Sequence, residues 1–395
     1  MFCPKINKTA LEEADVDLTS LSMKMTAKNK KIKIRKIIKD FFKSFPYSFC
    51  LALKKNEDKN VYIAVVSAGG VGDIIRQKDA LLKLIDIFPS AVIDVYNMKS
   101  KPFLADVKNI RFFFSRDAIG LTRKKYDIVV DYLSLDRVTS GAADLNINNL
   151  KNAAVKKFAA GFEEIKKEYP YCFGFKNQYL FQKEAVKNGL KINDVIKLTA
   201  GIKDIKKNNL VLNYKERDIS KFGLDKEDKY ITFQHGWGDK GYIPGRNGWH
   251  TKIWETKNWK RLLKNIKKEL KNFKIVQVGI SSDYLEETDL DLNGKTSFDE
   301  LCSVIKYSSL HIDTDGGCMH IAEALNVKSV ILFGPSNVKY VGYDNNVNIA
   351  SGLCSDCFTV IEDWGSKCVR GFEKPVCMSS ISPEFVAEIV CRQLA

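Results

Sequence analysis

Two glycine-rich turns carry aspartates where an apolar, β-rich run gives way to an apolar helix: Ala68-Gly69-Gly70-Val71-Gly72-Asp73 and Asp313-Thr314-Asp315-Gly316-Gly317-Cys318-Met319-His320. Glycine lets backbone N–H groups come close to a ligand, and a helix that begins there points the positive end of its dipole at an anion. The chemistry implied is the binding of a phosphorylated substrate, with Gly70 and Gly72 in one turn and the amides of Gly316, Gly317 and Cys318 in the other. Asp73, at the start of its helix, is placed to cap it, a role aspartate favours. A second set of reactive groups is Cys354-x2-Cys357-x10-Cys368-x8-Cys377. Four thiolates can close tetrahedrally on zinc or iron, and buried free thiols are the alternative. A closed site of this kind leaves no coordination position for substrate, so its role would be architectural.

The elements that must position these groups alternate strand and helix. Val61 to Ser67 is a continuous β-rich run, as a parallel strand buried on both faces requires, and the next helix keeps Ile74, Ile75, Leu81, Leu82, Leu84, Ile85 and Phe88 on one stripe until Pro89 stops it. Further strands are expected at Val92 to Tyr96, Ile110 to Phe114 and Asp127 to Tyr132, and residues from about Asn146 to Lys206 read as helical. A polar stretch from Asn213 to Lys229 marks a domain junction. Beyond it the same grammar repeats: strand Tyr230 to Gln234, amphipathic helix Lys257 to Asn272, strand Ile275 to Val278, helix Phe298 to Ile305, strand Leu310 to Asp313, helix Met319 to Leu325 and strand Ser329 to Phe333. A last helix starts at Ser382-Pro383-Glu384, with serine as N-cap and proline in the first turn.

At 395 residues the chain exceeds what one core serves. The expected organisation is a basic extension over 1–60, a Rossmann-like domain over 61–215, and a second Rossmann-like domain over 216–395 containing the cysteine loop 354–377. The fold class is therefore α/β, two doubly wound domains facing a cleft. Ten cysteines spread over this length, with no charged-then-apolar leader, point to a reducing, cytoplasmic setting, and no run of about 18 apolar residues offers a membrane span. The net charge of +15 raises the question of nucleic acid, but the basic residues are dispersed and no nucleic-acid partner is expected. One dense block, Lys24 to Phe45, interleaves lysines with isoleucine and phenylalanine. It is suited to lying peripherally on an anionic membrane or to packing on its own domain.

A dinucleotide fingerprint cannot be laid on Gly69, Gly70 and Gly72, since the position three after Gly72 is Ile75. Gly72-Asp73, Lys252-Ile253-Trp254 with Asn258-Trp259, Asp315-Gly316-Gly317-Cys318-Met319-His320-Ile321-Ala322 and Leu332-Phe333-Gly334-Pro335-Ser336 together resemble glycosyltransferase family 9, the heptosyltransferases of lipopolysaccharide assembly. The resemblance runs from about Val61 to Val390 and is clearer in the second half. It implies the GT-B fold, an ADP-heptose donor, a lipid-linked saccharide acceptor and inverting transfer without a catalytic metal. Residue by residue, it implies that Asp73 is the base, that Lys252 and His320 contact the donor phosphates, and that Asp315 lies near the sugar. The local alternatives are a solvated Lys252, a His320 satisfied within its own turn, and an Asp315 that caps the helix at Met319. Relatives carry a comparable cysteine group, and in protein-modifying heptosyltransferases it holds iron, which favours a structural metal here. Three features depart from the pattern: the loop from His235 to Asn247 is long, Gly316 stands where threonine is common, and Asp283 is the nearest acidic residue after Val278-Gly279 for a nucleoside contact. The alternatives left open are a protein acceptor, a nucleotide-sugar epimerase and a non-catalytic nucleotide-sugar-binding protein.

Overall fold

The computed structural model describes residues 60–132, 143–173, 178–205, 210–235, 251–280, 284–361 and 364–395. The basic segment 24–45 with the rest of 1–59, Asp283, and the loop after His235 through residue 250 lie outside the described residues. Two compact units divide the chain between Asn213 and Tyr214.

The first unit is built on a five-stranded sheet in the order β3-β2-β1-β4-β5. Its strands are β1 (Tyr62–Val66), β2 (Val92–Tyr96), β3 (Ile110–Phe114), β4 (Ile128–Asp131) and β5 (Asp144–Ile147). β1 pairs in parallel with β2 and β4, placing Val65 opposite Val95 and Val66 opposite Asp131. Helix α1 (Val71–Ile87) follows β1, and α2 (Ala153–Glu168), α3 (Gln178–Lys187) and α4 (Ile192–Thr199) complete the helical content that the second half of this unit promised. α1 stops at Ile87, with only its C-cap Phe88 before Pro89, because proline has no N–H to continue the ladder. Its core side buries Ile74, Ile75, Leu81 and Leu84, but also two charges. Lys78 pairs with Asp106 at 2.6 Å, and Asp79 pairs with Lys197 of α4 at 2.8 Å with both side chains buried.

One strand departs from expectation. β5 runs antiparallel to β4 at the edge of the sheet, across the start of the region read as helical. At four residues with no fully buried position, Asp-Leu-Asn-Ile is too short and too polar to declare a period of two.

The second unit carries a wholly parallel six-stranded sheet in the order β11-β10-β9-β6-β7-β8. The strands are β6 (Tyr230–Gln234), β7 (Lys274–Val278), β8 (Leu290–Asp291), β9 (Leu310–Thr314), β10 (Ser329–Phe333) and β11 (Val347–Ala350). Helices α5 (Thr256–Glu269), α6 (Phe298–Lys306), α7 (Gly317–Ala324) and α8 (Pro383–Leu394) cover it. β6, β9 and β10 are buried at every position, which explains the apolar run of β10, while β9 also buries His311 and Asp313. α5 is amphipathic and buries Trp259, Leu262, Leu263 and Ile266 in a core shared with Val386 and Val390 of α8. Each such side chain contributes about 1.5–3 kcal/mol. Two ends are capped as their sequences require: Ser297 and Glu300 form a reciprocal capping box on α6, and the Ser382 hydroxyl accepts the Phe385 amide on α8. No helix among the described residues is long and apolar enough to cross a membrane.

Candidate functional site

In an open α/β sheet, ligands bind beyond the carboxyl ends of the strands where the strand order reverses. The reversal lies between β1 and β4 in the first sheet and between β6 and β9 in the second. The Gly69–Asp73 turn leaves β1, His235 follows β6, and Asp315 follows β9. Both glycine turns thus stand at a switch point of their own sheet.

In the first unit, Gly69 takes φ +86°, a left-handed conformation that glycine adopts freely. A Cβ there would fall 2.1 Å from Asp73 Oδ2. That oxygen accepts the Gly70 N–H at 2.8 Å, so Asp73 caps the helix it belongs to. The side chain is half-buried, and this is the one hydrogen bond it makes among the described residues. Gln77, one turn along α1, grips the end of β1: its Oε1 accepts the Ser67 hydroxyl at 2.8 Å and the Ala68 N–H at 3.2 Å, while its Nε2 donates to the Ala68 carbonyl at 2.9 Å. Asn97, beyond β2, donates to the Ser67 carbonyl. Sequence reasoning missed Gln77, although its spacing of four from Asp73 puts both on one helix face.

In the second unit, Lys252 is not a solvated surface lysine. Its residue exposure is 7%, that of Asp315 is 5%, and the ammonium meets Asp315 Oδ2 at 2.6 Å. Burial alone would raise the Asp315 carboxyl, but the charge and hydrogen bond of Lys252 outweigh it and hold the carboxyl below its ordinary range. Nor does Asp315 cap the helix at Met319. Asp313, two residues earlier and within β9, does so, with Oδ2 accepting the Met319 amide at 3.0 Å and Oδ1 accepting the Thr314 amide at 2.7 Å. Burial pushes the Asp313 carboxyl up, while His311, 3.7 Å away, and the two amides pull it down by less. His311 in turn shares a hydrogen bond with Thr232 at 3.0 Å.

Gly316 is the N-cap of α7 in extended backbone. The amides of Gly316, Gly317 and Cys318 precede the first that an i→i−4 bond can satisfy, so the helix presents them at its open end. The Cys318 thiol is buried and pushed well above its ordinary value, which leaves it protonated and no nucleophile. His320 is not satisfied within its own turn: its Nδ1 is 2.7 Å from the Tyr343 hydroxyl, and the two rings meet edge to face. His235 is buried, with Nε2 3.2 Å from the Thr256 hydroxyl and its ring against Trp259.

The four cysteines of the loop lie near one another. The Cys354 and Cys377 thiols share a hydrogen bond, which draws Cys354 down to about 7 and pushes Cys377 up. Burial, with the charges of Cys354 and Cys368, lifts Cys357 to about 12. The thiols are thus close enough to shift each other, yet among the described residues no three His, Cys, Asp or Glu groups are arranged to hold a metal ion. Cys354 and Cys377 also belong to the apolar core beneath α5 and α8. Between the cysteines, the loop sends Phe358 and Trp364 onto Lys252, with ring centres 4.8 Å and 5.7 Å from the ammonium.

The profile of glycosyltransferase family 9 (heptosyltransferase) matches residues 120–359. Among solved structures, a family 9 glycosyltransferase of Veillonella parvula aligns over 86% of this chain and 98% of its own at 17% identity and a TM-score of 0.51. The iron-containing dodecameric glycosyltransferase TibC of enterotoxigenic E. coli aligns over 85% and 78% at 12% identity and a TM-score of 0.55. A second TibC structure, in complex with ADP-D-β-D-heptose, aligns over 86% and 79% at 12% identity and a TM-score of 0.55. No curated protein matches the sequence.

Proposed function

The chain belongs to glycosyltransferase family 9, and on that footing we propose that it moves a heptose or similar sugar, with inversion, from a nucleotide-diphosphate donor, ADP-heptose, to a lipid-linked saccharide at the cytoplasmic face of a membrane. The observation that carries this reading is the buried Lys252–Asp315 pair beside the open end of α7. A cation and a row of oriented amides are what a departing diphosphate needs, since they stabilise growing negative charge without reorganising. TibC, of like fold, holds ADP-D-β-D-heptose, which supports the choice of donor. The basic segment 24–45 supports the membrane setting through its lysines and interleaved apolar residues.

In the proposed reaction, Asp73 takes the proton of the acceptor hydroxyl as its oxygen bonds to the anomeric carbon. The bond from that carbon to the diphosphate oxygen breaks, and its electron pair leaves with the nucleotide. Lys252, His320 and the amides of Gly316, Gly317 and Cys318 face the charge so released, and Asp315 hydrogen-bonds sugar hydroxyls. Gly70 and Gly72 shape the turn before Asp73, and His235 follows the end of β6. The capping of Gly70 by one Asp73 oxygen fits this role, because it fixes the carboxylate in orientation. The test is sugar transfer to a truncated lipopolysaccharide acceptor from ADP-, GDP- and UDP-linked sugars, by wild type and Asp73→Asn. The variant should lose about 10²- to 10⁴-fold in turnover while ADP binding is kept; turnover at the wild-type rate refutes the assignment.

The four thiols extend the proposal. Cys354, Cys357, Cys368 and Cys377 offer a tetrathiolate donor set suited to zinc or iron, which would tie the loop to the core rather than touch substrate. Metal content by mass spectrometry should give about one ion per chain. A metal-free protein of undiminished thermal stability refutes it. The same loop favours a second reading of the acceptor, a polypeptide, because of the resemblance to protein-modifying heptosyltransferases; sugar found on protein instead of saccharide would decide for it.

A further inference from the structure

A loop expected only to brace the domain walls the donor lysine. The Lys252 ammonium, besides its contact with Asp315, faces the rings of Phe358 and Trp364. The rings lean on each other, with centres 4.2 Å apart and planes at 56°. Their backbone is pinned from two sides. The Phe358 N–H donates to the Pro335 carbonyl at 2.9 Å, in the turn after β10. Thr251, the residue before Lys252, donates its N–H to the Gly365 carbonyl at 3.2 Å and its hydroxyl to the Trp364 carbonyl at 2.7 Å. The peptide that presents the lysine is thus the one that holds the loop. Asp356 and Thr359, either side of Phe358, take φ +64° and +66°. A β-branched residue enters that region only where its surroundings over-determine it.

We propose that Phe358 and Trp364 are positioning residues for donor binding: an aromatic cover, carried on the cysteine loop, that holds the Lys252 ammonium where it meets a nucleotide's diphosphate. The inference rests on the reading of this site as a diphosphate site. A lysine stem has many rotamers, and a carboxylate alone would draw the ammonium to itself and spend its charge there. Aromatic faces attract the cation through their quadrupole but carry no net charge, so they fix its position and leave the charge for the ligand. This is a division of labour: Asp315 satisfies the lysine in the empty site, and the rings keep it in place when phosphate oxygens compete.

The test is calorimetric titration with ADP, GDP and UDP, using whichever binds the wild type, on Phe358→Leu, Phe358→Tyr and Trp364→Leu. Each is made in the wild-type background and in a Lys252→Met/Asp315→Asn background. The leucine variants should bind about tenfold more weakly in the wild-type background and lose nothing further where Lys252 is gone, while Phe358→Tyr, which keeps a ring face, should bind as wild type does. Unchanged affinity in the leucine variants, or an equal loss in both backgrounds, overturns the proposal, since a merely structural role does not need the lysine. A wild type that binds none of the three nucleotides refutes the diphosphate reading itself, and this inference with it.

Discussion

Replacing Lys252 by methionine separates a buried ion pair from a fortuitous contact. The substitution keeps most of the stem's volume and removes only the charge, leaving the Asp315 carboxylate, 5% exposed, without its counter-ion. Breaking a buried pair in this way costs about 3–5 kcal/mol, or roughly 6–20 °C in the melting temperature of a unit this size. Adding Asp315→Asn removes the stranded charge and should recover most of the loss. The pH dependence should also reverse. In the wild type the Asp315 carboxyl lies below its ordinary 3.8, so its contribution is present above that value and is lost as pH falls through the depressed one. In Lys252→Met burial, the largest cause, is opposed only by the Ser336 hydrogen bond and His320 and should lift the carboxyl above 3.8, so the variant is most stable at or below that pH and loses stability as pH rises toward neutrality. Thermal unfolding between pH 3 and 7 reads both effects. A single variant as stable as wild type at neutral pH, or a double variant no better than the single, refutes the reasoning.

Three further outcomes are expected. Gly69→Ala combines a positive φ with a Cβ 2.1 Å from Asp73 Oδ2; it should cost about 1–3 kcal/mol and lower turnover by displacing Asp73, and full activity would contradict the placement of the base. Gly334→Ala drives a Cβ to 2.8 Å from Met378 Sδ and 3.0 Å from the Thr251 carbonyl. Chemical denaturation should show a loss of about 1–3 kcal/mol, with nucleotide binding weakened because Thr251 adjoins Lys252. Tyr343→Phe removes the hydroxyl partner of His320 Nδ1; a loss of about 0.5–1.5 kcal/mol in ADP affinity, with altered imidazole nitrogen shifts by NMR, is the expected result, and unaltered shifts would show that Tyr343 does not orient the ring.

The fold class was legible because central strands such as β1 and β10 are buried along most of their length and therefore spelled as near-continuous apolar runs. β6 and β10 could be read to the residue. The edge strands β5, β8 and β11 could not, since two to four partly exposed residues carry no period. Within the candidate site the residue types were legible and their partners were not. Lys252 and Asp315 were both singled out, but a pair 63 positions apart is made by tertiary packing. The same holds for Asp313 taking the capping role that Asp315 was offered, and for Phe358 and Trp364 reaching the lysine from a loop whose cysteines dominated its reading.

The two charges seated in α1 constrain how the first unit can move. Lys78 and Asp79 are neighbours in the chain, yet each is anchored in a different place, one by Asp106 and the other by Lys197. Rolling or sliding the helix by a fraction of a turn would strand both at once, so the pair works as a detent that fixes its rotation and register. Because Asp73 rides the first turn of the same helix, the two ion pairs that hold the helix in register also hold Asp73 in its place within the unit.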